Sequence, residues 1–138
     1  MCVMHTHSNP SGDAMNMAVV VSEDEGYTWS PPKRTNIWGF PAELEYLPDG
    51  QVLMIYGYRQ PSYGVRGCIS EDGINWDIKN EFVIREGGVP DGGDTETVNR
   101  FTGQKFGIDW HNPGVFQHIG YPSLVVLDSG KILALYHD

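Results

Sequence analysis

Apolar residues along this chain come in short runs bounded by Gly, Pro, Asp and Asn, and none of the runs carries a helical period. MNMAVVVS (Met15 to Ser22), AELEYL (Ala42 to Leu47), QVLMIYGY (Gln51 to Tyr58), VRGCIS (Val65 to Ser70) and EFVIRE (Glu81 to Glu86) read as strands. SLVVL (Ser123 to Leu127) and KILALYH (Lys131 to His137) complete the set. PDG at Pro48 to Gly50 and DSG at Asp128 to Gly130 each stand between two apolar runs, where a hairpin needs residues that tolerate tight backbone angles. The pattern predicts an all-β fold.

Two strings recur. SEDEGYTW begins at Ser22 and SEDGINW at Ser70, 48 residues later. GFPAELEYLPDGQVLMIY (Gly39 to Tyr56) and GYPSLVVLDSGKILALY (Gly120 to Tyr136) align with one gap. Both run Gly-aromatic-Pro-small, strand, Gly-ending turn, strand, Tyr. Four strands repeating about every 48 residues match the size of a propeller blade. The second pair stands 81 residues apart, and the 33 surplus residues fall at about Gly87 to His118. That stretch is Gly-rich and polar with scattered aromatics, and reads as a long inserted loop of the kind that often carries function.

A length of 138 residues suits one domain, and the 17 Gly and 9 Pro lie between apolar runs, as many short strands with tight turns require. A formal charge of −9 argues against a nucleic-acid partner, which needs clustered Lys and Arg. No apolar run approaches the roughly 20 residues of a bilayer span, so no membrane partner is expected. The opening MCVMHTHSNPSGD lacks the basic start and apolar core of a secretory leader. Cys2 and Cys68 make no disulfide framework and leave the compartment open.

Ser-x-Asp-x-Gly-x-Thr-Trp has a physical reading as a connector. The Asp carboxylate accepts backbone N–H groups across a turn, Gly permits positive φ, and Trp folds back over the turn. Here the chain resembles the Asp-box (BNR) repeats of the sialidase superfamily. Ser22, Asp24, Gly26, Thr28 and Trp29 match that motif in full. The second copy keeps Ser70, Asp72, Gly73 and Trp76, is one residue shorter, and has Asn75 where Thr is usual. The resemblance covers about Met15 to Glu86 and Ile119 to Asp138. It implies four-stranded antiparallel blades of a six-bladed sialidase-type propeller, about two of them present. Residues 15–30 form a half blade, 36–86 a full blade, 87–118 the insertion and 119–138 another half blade. In that family the Asp-box is structural and lies away from the active site.

The resemblance also implies chemistry. Retaining sialidases use a Tyr nucleophile assisted by a Glu, an Asp acid/base, and Arg residues that bind the sugar carboxylate. Tyr121 begins the strand that looks like the family's nucleophile segment, with Tyr121-Pro122-Ser123-Leu124 in place of Tyr-Ser-x-Leu. Glu43 is the candidate partner, two residues past the family's Glu position, which Pro41 occupies here. Arg66, four residues before the second Asp-box, and Arg59 are the candidate carboxylate binders, and Trp110 in DWHNPG is a candidate sugar platform. Nothing matches the family's Arg-Ile-Pro segment or its acid/base Asp. One chain is therefore expected to lack the full catalytic set.

Other chemistry is weaker. His5 and His7 with Met1 and Met4 suit a soft metal or a simple polar tail, and Asp91, Asp94 and Glu96 lack a calcium-loop spacing. P-loop and GxSxG motifs are absent, and no cofactor is expected. Two blades leave open edges and unburied faces. Either the chain belongs to something longer, or three copies arranged head to tail close a six-bladed ring. The expected function is a carbohydrate-active module that hydrolyses a terminal acidic sugar when its ring is complete. The alternative is a non-catalytic module binding a glycan or a protein.

Overall fold

The structure is a computed structural model and describes residues 1–6, 16–59, 63–86 and 120–137. Nine strands occupy these segments: β1 (Cys2–Met4), β2 (Asn16–Val20), β3 (Lys33–Trp38), β4 (Ala42–Tyr46), β5 (Val52–Tyr58), β6 (Gly64–Ser70), β7 (Glu81–Glu86), β8 (Gly120–Val126) and β9 (Ile132–His137). One turn of 3-10 helix, Ile78–Asn80, is the only helical element among the described residues. The strands pair antiparallel into a three-stranded sheet β1-β2-β3, a four-stranded sheet β4-β5-β6-β7 and a two-stranded sheet β8-β9. The chain is all-β, as its pattern predicts.

Every predicted run is a strand, with ends moved by up to three residues. Two strands are additional. β1 replaces the polar tail expected at the N-terminus, with Cys2 opposite Val20 and Met4 opposite Ala18. β3 pairs with β2, so the first sheet reaches Trp38 and does not stop at Ser30. Its sequence KRTNIW turns only Thr35 and Ile37 fully inward, which leaves a thin apolar signal.

Two apolar layers meet at β5. Side chains alternate across a strand, so one run serves both faces. Val52, Met54 and Tyr56 pack with Met17, Val19 and Ile37 of the first sheet. Leu53 and Ile55 face the other way and pack with Leu124 of β8. This double burial explains why β5 is apolar throughout instead of alternating. Gly120 opens the third sheet beside Arg59 and Pro41 with φ of +137°, a backbone conformation that side chains resist.

Register orients the sheets. Ser70 stands opposite Val52 at one end of the second sheet, and Gly64 opposite Tyr58 at the other. The acidic turns that follow β2 and β6 therefore lie at one end of the stack. The starts of β4 and β8 lie at the opposite end.

Candidate functional site

The acidic turns are built alike. In the first, the Asp24 carboxylate accepts the Thr28 N–H at 2.8 Å on one oxygen and the Thr28 hydroxyl at 2.6 Å on the other. Ser22 Oγ accepts the Gly26 N–H at 2.7 Å, and the Trp29 indole N–H donates to Gly26 O at 3.1 Å. In the second, Asp72 Oδ1 accepts the N–H groups of Ile74 at 2.8 Å and Asn75 at 2.7 Å, while Oδ2 accepts the Asn75 side-chain amide at 2.6 Å. Ser70 Oγ accepts the Gly73 N–H at 2.9 Å, and the Trp76 indole donates to Gly73 O at 2.9 Å. Asn75 thus does the work of Thr28 one residue earlier. Gly26 and Gly73 hold φ of +94° and +69°, which side chains resist. Hydrogen bonds from Thr28, side chain first, lower the Asp24 pKa, and those from Asn75, backbone first, lower that of Asp72. Each carboxylate is consumed by its own turn, which makes these residues structural.

At the opposite end, a continuous row of aromatic and guanidinium groups crosses the sheets. Arg66 Cζ sits 3.4 Å from the Tyr58 ring centroid, and Tyr58 meets Trp38 edge-on at 5.4 Å. Trp38 meets Phe40 at 6.0 Å, and the His5 ring lies 5.5 Å from Phe40. Arg59 then stands 4.7 Å from the Phe40 centroid and 5.7 Å from that of Tyr121. Cation–π attraction holds such stacks. Phe40 and Tyr121 occupy equivalent places in the two Gly-aromatic-Pro segments, so the repeat brings both rings within reach of one guanidinium. Tyr121 is 67% exposed and has φ of +49°.

Arg66 is fastened from below. Its Nη1 lies 2.5 Å from Glu81 Oε1, with both side chains largely buried. The other Glu81 oxygen accepts the Tyr56 phenol. Burial first, and then this carboxylate, push the Tyr56 pKa upward and keep the phenol a donor. Burial and the nearby Glu81 charge also push the Cys68 thiol up to about 11.

Glu43 points elsewhere. Its Oε1 accepts the Leu124 N–H at 3.1 Å and lies 3.3 Å from Ser123 Oγ. The structure thus gathers Arg59, Arg66 and Tyr121 along one row and assigns Glu43 to bridging β4 and β8. Trp110, His111, Asp91, Asp94 and Glu96 lie outside the described residues, as does His7. Phe40, marked in the sequence only as the repeat counterpart of Tyr121, joins the row with Trp38, Tyr58 and Glu81, which no motif marks. Among the described residues, no three His, Cys, Asp or Glu side chains are grouped to hold a metal ion. A separate polar recess of about 360 Å³ lies between β3 and the second acidic turn, where Lys33 Nζ reaches Asn75 Oδ1 at 2.6 Å. Comparison of the chain with family models, curated proteins and solved structures finds no match in any of the three.

Proposed function

We propose that the three sheets are consecutive blades of a sialidase-like β-propeller, and that the chain is a carbohydrate-active module receiving an acidic sugar at the Phe40–Arg59–Tyr121 row. The blade reading is supported by the meander order of the four-stranded sheet, the matched acidic turns and the face-to-face stacking of successive sheets.

The ligand reading rests on Arg59. Its guanidinium lies over both the Phe40 ring, at 4.7 Å, and the Tyr121 ring, at 5.7 Å. Aromatic faces suit the apolar side of a sugar ring, and a guanidinium offers paired N–H donors to a carboxylate. As a hydrolase the module would use Tyr121 against the anomeric carbon, with the proton donor supplied from outside the described residues. A non-catalytic glycan-binding role is the second reading. It is favoured by Glu43, whose carboxylate holds the β8 backbone and not the Tyr121 phenol.

Calorimetric titration with N-acetylneuraminic acid and with neutral N-acetylglucosamine, beside a fluorogenic sialoside assay, separates these readings. Binding of the acidic sugar alone, weakened at least about tenfold in Arg59→Ala, supports the module. Turnover abolished in Tyr121→Phe selects the hydrolase, and binding without turnover selects the second reading. Failure to bind the acidic sugar overturns both.

A further inference from the structure

Strands β5 and β9 are equivalent but differently covered. Leu47 and Leu127 close the same turn, each accepting from a Gly three residues on and donating 2.8 Å to the carbonyl four residues on. The two strands therefore correspond at an offset of 80 residues. β5 pairs with β6 on its far side, whereas among the described residues β9 pairs only with β8. Ile132, Leu133, Leu135 and Tyr136 of β9 are exposed, Leu135 to 62%.

A neighbour that fits the outer edge of β9 can be read from the repeat. The acidic turns make β2 the counterpart of β6 at an offset of 48 residues. In the second sheet Met54 faces Cys68, Ile55 faces Gly67 and Tyr56 faces Arg66. Carried over, this register sets Ala134 opposite Val20, Leu135 opposite Val19 and Tyr136 opposite Ala18. Those places on β2 are held by β1, with Cys2 opposite Val20, Val3 opposite Val19 and Met4 opposite Ala18. Position by position, β1 offers a small, a branched and a long apolar side chain. β9 offers Ala134, Leu135 and Tyr136, the same order of shapes. Within one chain β9 cannot take that place, because the first and third sheets pack on opposite faces of the second.

We infer that β1 stands in for β9 of a second copy of this chain. In the assembled state β9 displaces β1 from β2, and the two copies share a four-stranded sheet in the order β8-β9-β2-β3. The inference rests on the blade reading above. One ladder of backbone hydrogen bonds replaces another, so the exchange itself costs little, as in domain swapping. The gain is apolar burial. Val125, Leu133 and Leu135 turn onto the side of the shared sheet that carries Val19, and so meet the second sheet of the partner copy. Each copy contributes one whole sheet and two partial ones in a head-to-tail contact, and about three copies make a six-sheet ring.

Light scattering on the full chain tests this. The expected mass is about three times the 15.4 kDa of one chain. Val3→Pro weakens β1 and is expected to lower the assembly midpoint concentration about tenfold or more, while Leu135→Lys raises it by a similar factor. Mixing Val20→Cys with Ala134→Cys chains, both in a Cys2→Ser background, is expected to yield a disulfide that neither forms alone. A monomer at all concentrations, in both the full chain and Val3→Pro, overturns the inference. An assembly unaffected by Leu135→Lys and lacking the mixed disulfide overturns it too. If the monomer still binds the acidic sugar, only the assembly fails. If sugar binding is also lost, the functional reading fails with it.

Discussion

Glu43 Oε1 lies 3.1 Å from the backbone nitrogen of Leu124, so a β4 side chain in the second sheet accepts a backbone N–H of β8 in the third. The bond borders the apolar contact of Leu53, Ile55 and Leu124, and adds direction to an otherwise non-directional interface. Glu43→Ala leaves the Leu124 N–H without its acceptor and is expected to lower stability by about 1–3 kcal/mol in urea unfolding. Glu43→Gln, which keeps an amide oxygen, should lose less. Equal losses in the two variants would show that the carbonyl-type acceptor is not what matters.

The two turn tryptophans share one hydrogen bond but not one environment. Trp76 is 7% exposed and belongs to the first core, whereas Trp29 is 48% exposed. Trp76→Ala is expected to cost about 3–5 kcal/mol through the cavity it leaves. Trp29→Ala should cost clearly less. Paired urea melts of the variants measure the difference, and similar costs would contradict this account of the second turn as part of the core.

Acid should loosen both acidic turns. Asp24 and Asp72 are held below the ordinary carboxylate pKa when folded, by bonds from Thr28 and Asn75. Their stabilisation is therefore complete above the unfolded value of about 4 and declines as pH falls below it. Thermal melts from pH 6 down to pH 2.5 should show a falling midpoint. Asp72→Asn should start lower and decline less steeply. A parallel decline in the variant would remove Asp72 as a source of the pH dependence.

Arg66 and Arg59 should separate stability from binding. Arg66→Ala strands the largely buried Glu81 carboxylate beside Tyr56 and is expected to cost about 3 kcal/mol. Arg59→Ala removes ring stacking worth about 1 kcal/mol, strands no carboxylate known to be buried, and under the proposed function should act mainly on acidic-sugar affinity. Unfolding and titration of both variants, side by side, check this assignment.

Thiol labelling should be one-sided. Cys2 is exposed, while Cys68 is buried with its pKa raised to about 11. Iodoacetamide at pH 8 is expected to modify Cys2 rapidly and Cys68 only on unfolding, as peptide mass mapping would show. Rapid modification of both in the folded chain would contradict the packing of β6 against the first sheet.

What the sequence by itself determined is local. Apolar runs marked seven of the strands, Gly-ending turns marked the hairpins, and the Ser-Asp-Gly-Trp strings contained nearly every partner they use. These features are legible because each is completed within a few residues. β1 and β3 were not, because three residues in one and two fully buried positions in the other carry too little period to register. The rest was decided by tertiary structure. Whether Arg66 meets Glu81, whether Glu43 serves a Tyr or a backbone N–H of β8, and whether Phe40 and Tyr121 reach one guanidinium all depend on strand register and on which sheet covers which face. Register follows from burying alternate side chains on both sides of β5 at once. That constraint is shared by strands as far apart in the chain as β2, with Met17, and β8, with Leu124, so no single stretch of sequence records it.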